Sequence, residues 1–180
     1  MNVQDKYKSW IPELIREDLQ KKSWPFAMCM EHWDGDFNLG TAVRNANAFG
    51  AQETFYLGGK KRWDRRSAVG THNYTDLSFL KEREDLLALK EKYPVFIGVD
   101  NVPGAKSIVG FKFPKNCLLI FGEEGNGLTQ ETISMCDELV EIPMCGSVRS
   151  LNAGTSTGII MYQMFIQFQE ELNASTITEG

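Results

Sequence analysis

The sequence predicts an α/β domain: a mainly parallel sheet flanked by helices. Two patterns carry that expectation. Short apolar runs of strand length alternate along the chain with longer segments whose apolar residues recur at helical spacing. In addition, "VFIGVD" and "CLLIFG" are continuously apolar, as strands are when helices cover both faces of their sheet. The length agrees, because 180 residues make one ordinary domain with a substantial core.

Residues 1–23 read as a short appended helix of mixed charge, with Trp10 and Ile11 as its docking residues. The domain proper spans 24–172. It opens with the strand "PFAMCMEH" and the helix "NLGTAVRNANAFG", with Asn38 near the N-cap and Gly50 as the C′ stop. "TFYLG" is the next strand. "KEREDLLALKEK" is an amphipathic helix with acids early and lysines mainly late, which suits the helix dipole. The strands "VFIGVD" and "CLLIFG" follow, then the short helix "LTQETISMCD", the strand "ELVEIP" and the closing helix "GTSTGIIMYQMFIQFQEEL". Residues 173–180, "NASTITEG", are expected to fray.

Composition narrows the function classes. Apolar residues make up 42% and charged ones 24%, as in a soluble globular protein. No apolar run approaches the length of a membrane span, and "MNVQDKYKSWIPELIRED" lacks the apolar stretch of a signal peptide, so a cytoplasmic protein is expected. Cys29, Cys117, Cys136 and Cys145 form no CxxC pair, and His32 and His72 are scattered. Reduced thiols and no metal are the expectation. The net charge of −5 argues against a generally cationic surface. "KKRWDRR" nevertheless gathers five basic residues around Trp63. That run fits a solvated loop or an arginine-and-aromatic surface for a polyanion about equally well.

Ligands of open α/β sheets collect at the carboxyl ends of the strands, and three loops there stand out. "GEEGNGL" has Gly122, Gly125 and Gly127, which let the backbone turn sharply or approach a ligand. It lacks the lysine and hydroxyl of a P-loop and the first Gly-x-Gly of a dinucleotide fingerprint. "NLGTAVR" sets Asn38 and Arg44 on a helix kept thin by Gly40, Thr41, Ala42 and Ala46. An arginine there serves a surface ion pair or, if oriented, a phosphate or hydroxyl. "PMCGSVRSLN" places Ser150 and Asn152 at the mouth of the last helix. The first turns of that helix, Ala153 to Gly158, are unusually slim, as if a neighbouring segment passed very close.

Together "NLGTAVRNANAFGA", "LLIFGEEGNGL" and "EIPMCGSVRSLN" resemble the three signature motifs of the SpoU/TrmH family of RNA ribose 2′-O-methyltransferases, in the SPOUT superfamily. The likeness runs from about Phe26 to Gln167. Each motif alone is loose, whereas the three in order are specific. The resemblance implies a C-terminal deep trefoil knot, S-adenosyl-L-methionine held in it, an RNA substrate, and a homodimer with the site near the subunit interface. Carried across, Arg44, Asn38, Glu124, Ser150 and Asn152 are the catalytic group. Val99, Phe121, Gly122, Ile142, Met144 and Leu151 line the cofactor pocket. RNA contacts fall to Lys60, Lys61, Arg62, Trp63, Arg65, Arg66 and Arg149. Among the relatives, "GVDN…AKS" and "VRSLN" look most like tRNA-type enzymes that modify a guanosine ribose in the D-loop, with ribosomal RNA as the other substrate class.

Two departures qualify the likeness. Ala153-Gly154 stands where the family usually has Val-Ser, and no large RNA-binding domain precedes the motifs. Two other classes fit the same residues: a knotted RNA-binding protein without catalysis, and a small-molecule enzyme holding a cationic metabolite on Glu123 and Glu124. Transfer of a methyl group to RNA separates the first from an enzyme. Loss of RNA affinity when the "KKRWDRR" charges are neutralised excludes the second.

Overall fold

The computed structural model describes residues 3–31, 36–58, 63–123 and 125–178. Its strands are β1 (Trp24–Glu31), β2 (Ala51–Leu57), β3 (Leu77–Leu80), β4 (Val95–Val99), β5 (Lys106–Ser107), β6 (Cys117–Phe121) and β7 (Glu138–Glu141). The helices are α1 (Pro12–Gln20), α2 (Asp36–Ala48), α3 (Arg83–Ala88), α4 (Gln130–Met135) and α5 (Ala153–Thr178). The sheet has seven strands in the order β3-β2-β1-β6-β4-β7-β5, and each strand pairing is parallel.

Both faces of the sheet are covered, and strand periodicity explains how. In β1, Phe26, Met28 and Met30 enter one core cluster and Ala27 and Cys29 the other. In β6, Cys117, Leu119 and Phe121 take the first side, Leu118 and Ile120 the second. Successive side chains of a strand point to opposite faces, so a strand covered on both must be apolar throughout. The first cluster is closed by α2 through Leu39, Val43 and Ala46 and by α5 through Ile160, Met164 and Phe168. The second is closed by Leu86 of α3, Tyr93 and, from α4, Ile133.

Strand order positions the site. From β1 the chain steps outward to β2 and β3 at one edge, then crosses back to β4 on the other side. β6 fits between β1 and β4, and β7 lands beyond β4. The carboxyl ends of β4, β6 and β7 therefore lie side by side although they are distant in sequence.

Several boundaries differ from the sequence expectation. β3 and β5 are edge strands, and β5 is two exposed residues; neither carries the apolar run of a buried strand. The amphipathic helix shortens to α3 and passes into a 3-10 turn at Leu89–Glu91. Helix α5 extends to Thr178, beyond Leu172. The N-terminal segment docks through Tyr7 and Ile15, which bury against Tyr74, while Trp10 and Ile11 stay substantially exposed. Gly50 ends α2 as expected: at φ +75° it takes the left-handed conformation that costs glycine little, and its carbonyl accepts the N–H of Trp24 at 2.8 Å.

Candidate functional site

A cavity of about 380 Å³ opens at the carboxyl ends of β4, β6 and β7. Val99, Phe121, Gly122, Ile142, Met144 and Leu151 all line it, as do Arg149 and Ser150. Val99 and Phe121 end β4 and β6, and Ile142 follows β7 directly, so the sheet supplies an apolar floor. The rim is polar, with Glu123, Asn126, Gln130 and Ser150 among its groups. Volume and lining suit a small ligand with a flat apolar part and several hydrogen-bonding groups.

One wall is the glycine loop after β6. A Cβ at Gly122 would lie 2.1 Å from the carbonyl carbon of Gly127, so the two legs of the loop touch backbone to backbone and only glycine fits. Glu123 and Gly127 pair across the loop, N–H to carbonyl, at 3.2 and 3.0 Å. Beyond the loop Glu31, fully buried at the end of β1, holds the N-terminus of α4. Its carboxylate accepts the Thr129 N–H at 3.0 Å, the Thr129 hydroxyl at 2.6 Å, the Thr132 hydroxyl at 2.7 Å and Arg83 Nη2 at 3.1 Å. Burial alone pushes the Glu31 carboxyl up, but the threonine hydrogen bonds and the Arg83 charge outweigh it and hold it below the ordinary value.

The other wall leads into α5. Asn152 is the N-cap, with its Oδ1 accepting the Thr155 N–H at 3.1 Å. Its Nδ2 donates to Asn38 Oδ1 at 2.8 Å, so one residue both starts α5 and fastens it to α2. Asn38 lies in the first turn of α2, which starts at Asp36, rather than at the N-cap, and its side chain is thereby directed at α5. Below this pair Asn45 Nδ2 donates to the Gly154 carbonyl and to Thr157 Oγ1, each at 2.9 Å. A Cβ at Gly154 would lie 3.0 Å from two carbons of Thr41, and one at Gly158 would lie 3.2 Å from Asn45 Nδ2. The slim run is thus a close helix–helix contact on one face, while Ala153 and Ser156 turn to the cavity.

Arg44 stands apart. It is exposed on α2 and, among the described residues, makes no ion pair or side-chain hydrogen bond. It borders a second cavity of about 520 Å³, shared with the N-terminal segment, Phe49 and Phe165, rather than the first. Within one chain the structure therefore brings together the six pocket residues, Arg149, Ser150 and the Asn38–Asn152 pair, but not Arg44. Glu124, Lys60, Lys61 and Arg62 lie outside the described residues.

Of the remaining basic segment, Arg65 and Arg66 are exposed. Trp63 is half-buried, edge-on to His72 with centroids 5.8 Å apart, so it is part of the packing. The aromatic partner of Arg66 is Phe37, next to Asn38: the Arg66 guanidinium lies 5.1 Å from its ring centroid, and Arg66 Nε also donates to Asp64 at 2.7 Å. Sequence reasoning missed Phe37, along with Glu31, Asn45, Asp100 and Asn101. A charged residue ending an apolar strand was the one available signal for Glu31 and Asp100. Among the described residues no His/Cys/Asp/Glu group is arranged to hold a metal ion, and no helix is long and apolar enough to cross a membrane.

Known proteins are similar to this chain in fold and sequence. The solved SpoU methyltransferase AviRb from Streptomyces viridochromogenes, in complex with AdoMet, superposes with a TM-score of 0.73 at 26% identity, covering 80% of this chain and 58% of that one. The tRNA (guanosine(18)-2′-O)-methyltransferase of Escherichia coli is 25% identical over 152 residues, 83% of this chain and 66% of its own length. The 23S rRNA (guanosine-2′-O-)-methyltransferase RlmB of Haemophilus ducreyi is 28% identical over 158 residues, 85% and 64% respectively. The chain thus spans less than two thirds of either curated relative. The pattern of the SpoU rRNA Methylase family matches residues 25–162, a stretch that holds both walls of the cavity and the α2–α5 contact. By that match, which takes in most of its length, the chain belongs to the SpoU rRNA methylase family.

Proposed function

We propose that this protein is an S-adenosyl-L-methionine-dependent methyltransferase acting on a ribose 2′-hydroxyl of RNA, with tRNA, at a guanosine of the D-loop, favoured over ribosomal RNA. The observation that carries this reading is the cavity itself. All six residues expected for the cofactor line it, from the ends of β4 and β6 and the segment between β7 and α5. Its apolar floor suits an adenine ring, and its polar rim, including Glu123, suits hydroxyl groups and positive charge. Relatives named for tRNA and for rRNA support the RNA class.

When bound, the cofactor supplies a methyl group activated on a sulfonium. The chain's own work is positioning, which alone can account for several kcal/mol of a displacement barrier. Ser150 lines the cavity, and Asn152, bonded to Asn38, lies between the lining residues Leu151 and Ala153, so a ribose is expected to enter on this side. A guanidinium offers donors and positive charge but no acceptor, so the role of Arg44 is to grip a backbone phosphate and favour the ionised form of the hydroxyl. Because Arg44 borders a different cavity in its own chain, the complete site takes Arg44 from a second copy. An aromatic strip beside it, in which the rings of Phe49, Tyr162 and Phe165 pack at centroid distances of 5.7–6.5 Å, is the face on which that copy would sit. We read the slim start of α5 as the threaded part of a trefoil knot. Gly154 and Ala153, the departures from the family pattern, fit here: one meets Thr41 and the other borders the cavity. They give no reason to doubt catalysis.

Incubating the protein with methyl-labelled S-adenosylmethionine and separate tRNA and rRNA transcripts tests the proposal. Label is expected in tRNA, at a ribose that becomes resistant to alkaline cleavage. Label in rRNA alone would move the substrate. Cofactor binding with no transfer to either RNA would leave a binding protein.

A further inference from the structure

Asp100 and Asn101 stand side by side just beyond β4, and each reaches a different wall of the cavity they help line. Asp100 Oδ2 accepts the backbone N–H of Leu128 at 2.7 Å, which fixes the end of the glycine loop. Its Oδ1 accepts the N–H of Asn101, also at 2.7 Å. Asn101 Nδ2 donates to the carbonyl of Arg149 at 3.1 Å, in the loop that carries Ser150 and Leu151. Both Asp100 oxygens are thus engaged by the protein's own backbone.

The glycine loop is shaped around this contact. Gly127 has φ +68°, and a Cβ there would lie 2.2 Å from Asp100 Oδ2. Any other residue would be strained in that conformation and would also displace the carboxylate from the Leu128 N–H. The two walls need such ties for a general reason. Loops of glycine and small polar residues bury little apolar surface to offset the entropy of being ordered. Ordering them before the ligand arrives lowers the cost of binding.

We propose that Asp100 and Asn101 are positioning residues of the methyl-donor cavity, a two-armed clasp from β4 that sets the gap between the glycine loop and the β7–α5 loop. This rests on the methyltransferase reading for the identity of the ligand. It predicts that breaking either arm weakens donor binding far more than tRNA binding, because of the expected RNA contacts only Arg149 sits in a loop the clasp holds.

Calorimetric titration of S-adenosylmethionine into the full chain, with tRNA affinity and the thermal midpoint measured on the same samples, tests the clasp. Asp100→Ala is expected to weaken donor binding about tenfold, the effect of losing one charge-assisted hydrogen bond. Asp100→Asn keeps an acceptor for Leu128 and is expected to restore most of it. Asn101→Ala is expected to cost about fivefold, and Asn101→Asp more, because a carboxylate would face the Arg149 carbonyl. Folded Asp100→Ala and Asn101→Ala proteins that bind the donor like wild type overturn the clasp. So does a parallel loss of donor and tRNA affinity, which marks general loosening. If Asp100→Ala does not fold, Asn101→Asp with wild-type donor affinity overturns it. A wild-type chain that binds no donor overturns the methyltransferase reading and the clasp together, whereas failure confined to the variants overturns the clasp alone.

Discussion

Glu31 is the residue on which most depends at this end of the sheet. It is fully buried and tolerable there because hydroxyl, amide and guanidinium donors surround it. A glutamine could not accept all of them: with its oxygen facing the three donors at the Oε1 position, its amide hydrogens would meet the Thr129 N–H. Glu31→Gln is therefore expected to lower stability by about 3 kcal/mol, the order seen when one partner of a buried charged contact is removed, as read by urea unfolding near neutral pH. The pH dependence has a definite sign. The folded carboxyl lies below its ordinary 4.5, so its contribution is complete above that value and lost as pH falls through the folded one. Wild-type and Glu31→Gln stabilities should converge in acid; a difference that persists there would show that packing, not charge, is responsible. At this scale the sequence was legible only in part. Glycines crowded into one loop, and polar residues just past strand ends, are local signals. The threonine partners of Glu31 are 98 and 101 positions away and Arg83 is 52, and no local pattern marks them.

At the scale of elements, the contact between α2 and α5 decides where the site residues stand. Asn45 bridges from α2 to the Gly154 carbonyl and Thr157 hydroxyl, and Thr157 is fully buried. Asn45→Ala leaves that hydroxyl and carbonyl without this donor and is expected to cost about 1.5 kcal/mol. Gly154→Val forces α5 away from Thr41 and is expected to cost more, about 3 kcal/mol, as overpacking does in a tight contact. Both are read from chemical denaturation. If Gly154→Val proved neutral, the slim run would need another explanation. The buried strands and long helices were legible because burial on two faces or on one stripe writes a period into the sequence. β3 and β5 were not, since edge strands bury too little to be patterned. The packing of Trp63 was not legible for a similar reason: a tryptophan among arginines carries no local sign of burial, and only the fold brings His72 to its edge.

For the whole molecule, the distance between Arg44 and the donor cavity raises the largest question. Strand order gathers β4, β6 and β7 at one place, yet α2 carries Arg44 to a separate cavity beside Phe49 and Phe165. Tyr162, half exposed at 52%, stacks with Phe165 on the same face. Such an aromatic strip is costly in water, and closed two-fold pairing is the commonest way for identical chains to cover one. In the proposed pairing each donor cavity would be completed by Arg44 of the other copy, and a mixed dimer tests it. One chain carries Arg44→Ala and keeps its cavity. The other keeps Arg44 but carries Gly122→Val, whose side chain would collide with Gly127. Each pure dimer should be inactive. In the mixed dimer a composite site joins the intact cavity of one chain to the intact arginine of the other. Methylation should then return to about half the wild-type rate, because one of two equivalent sites is rebuilt. A site contained within one chain would leave the mixed dimer as inactive as its parents, and a monomeric wild type in sedimentation would remove the composite site from consideration altogether.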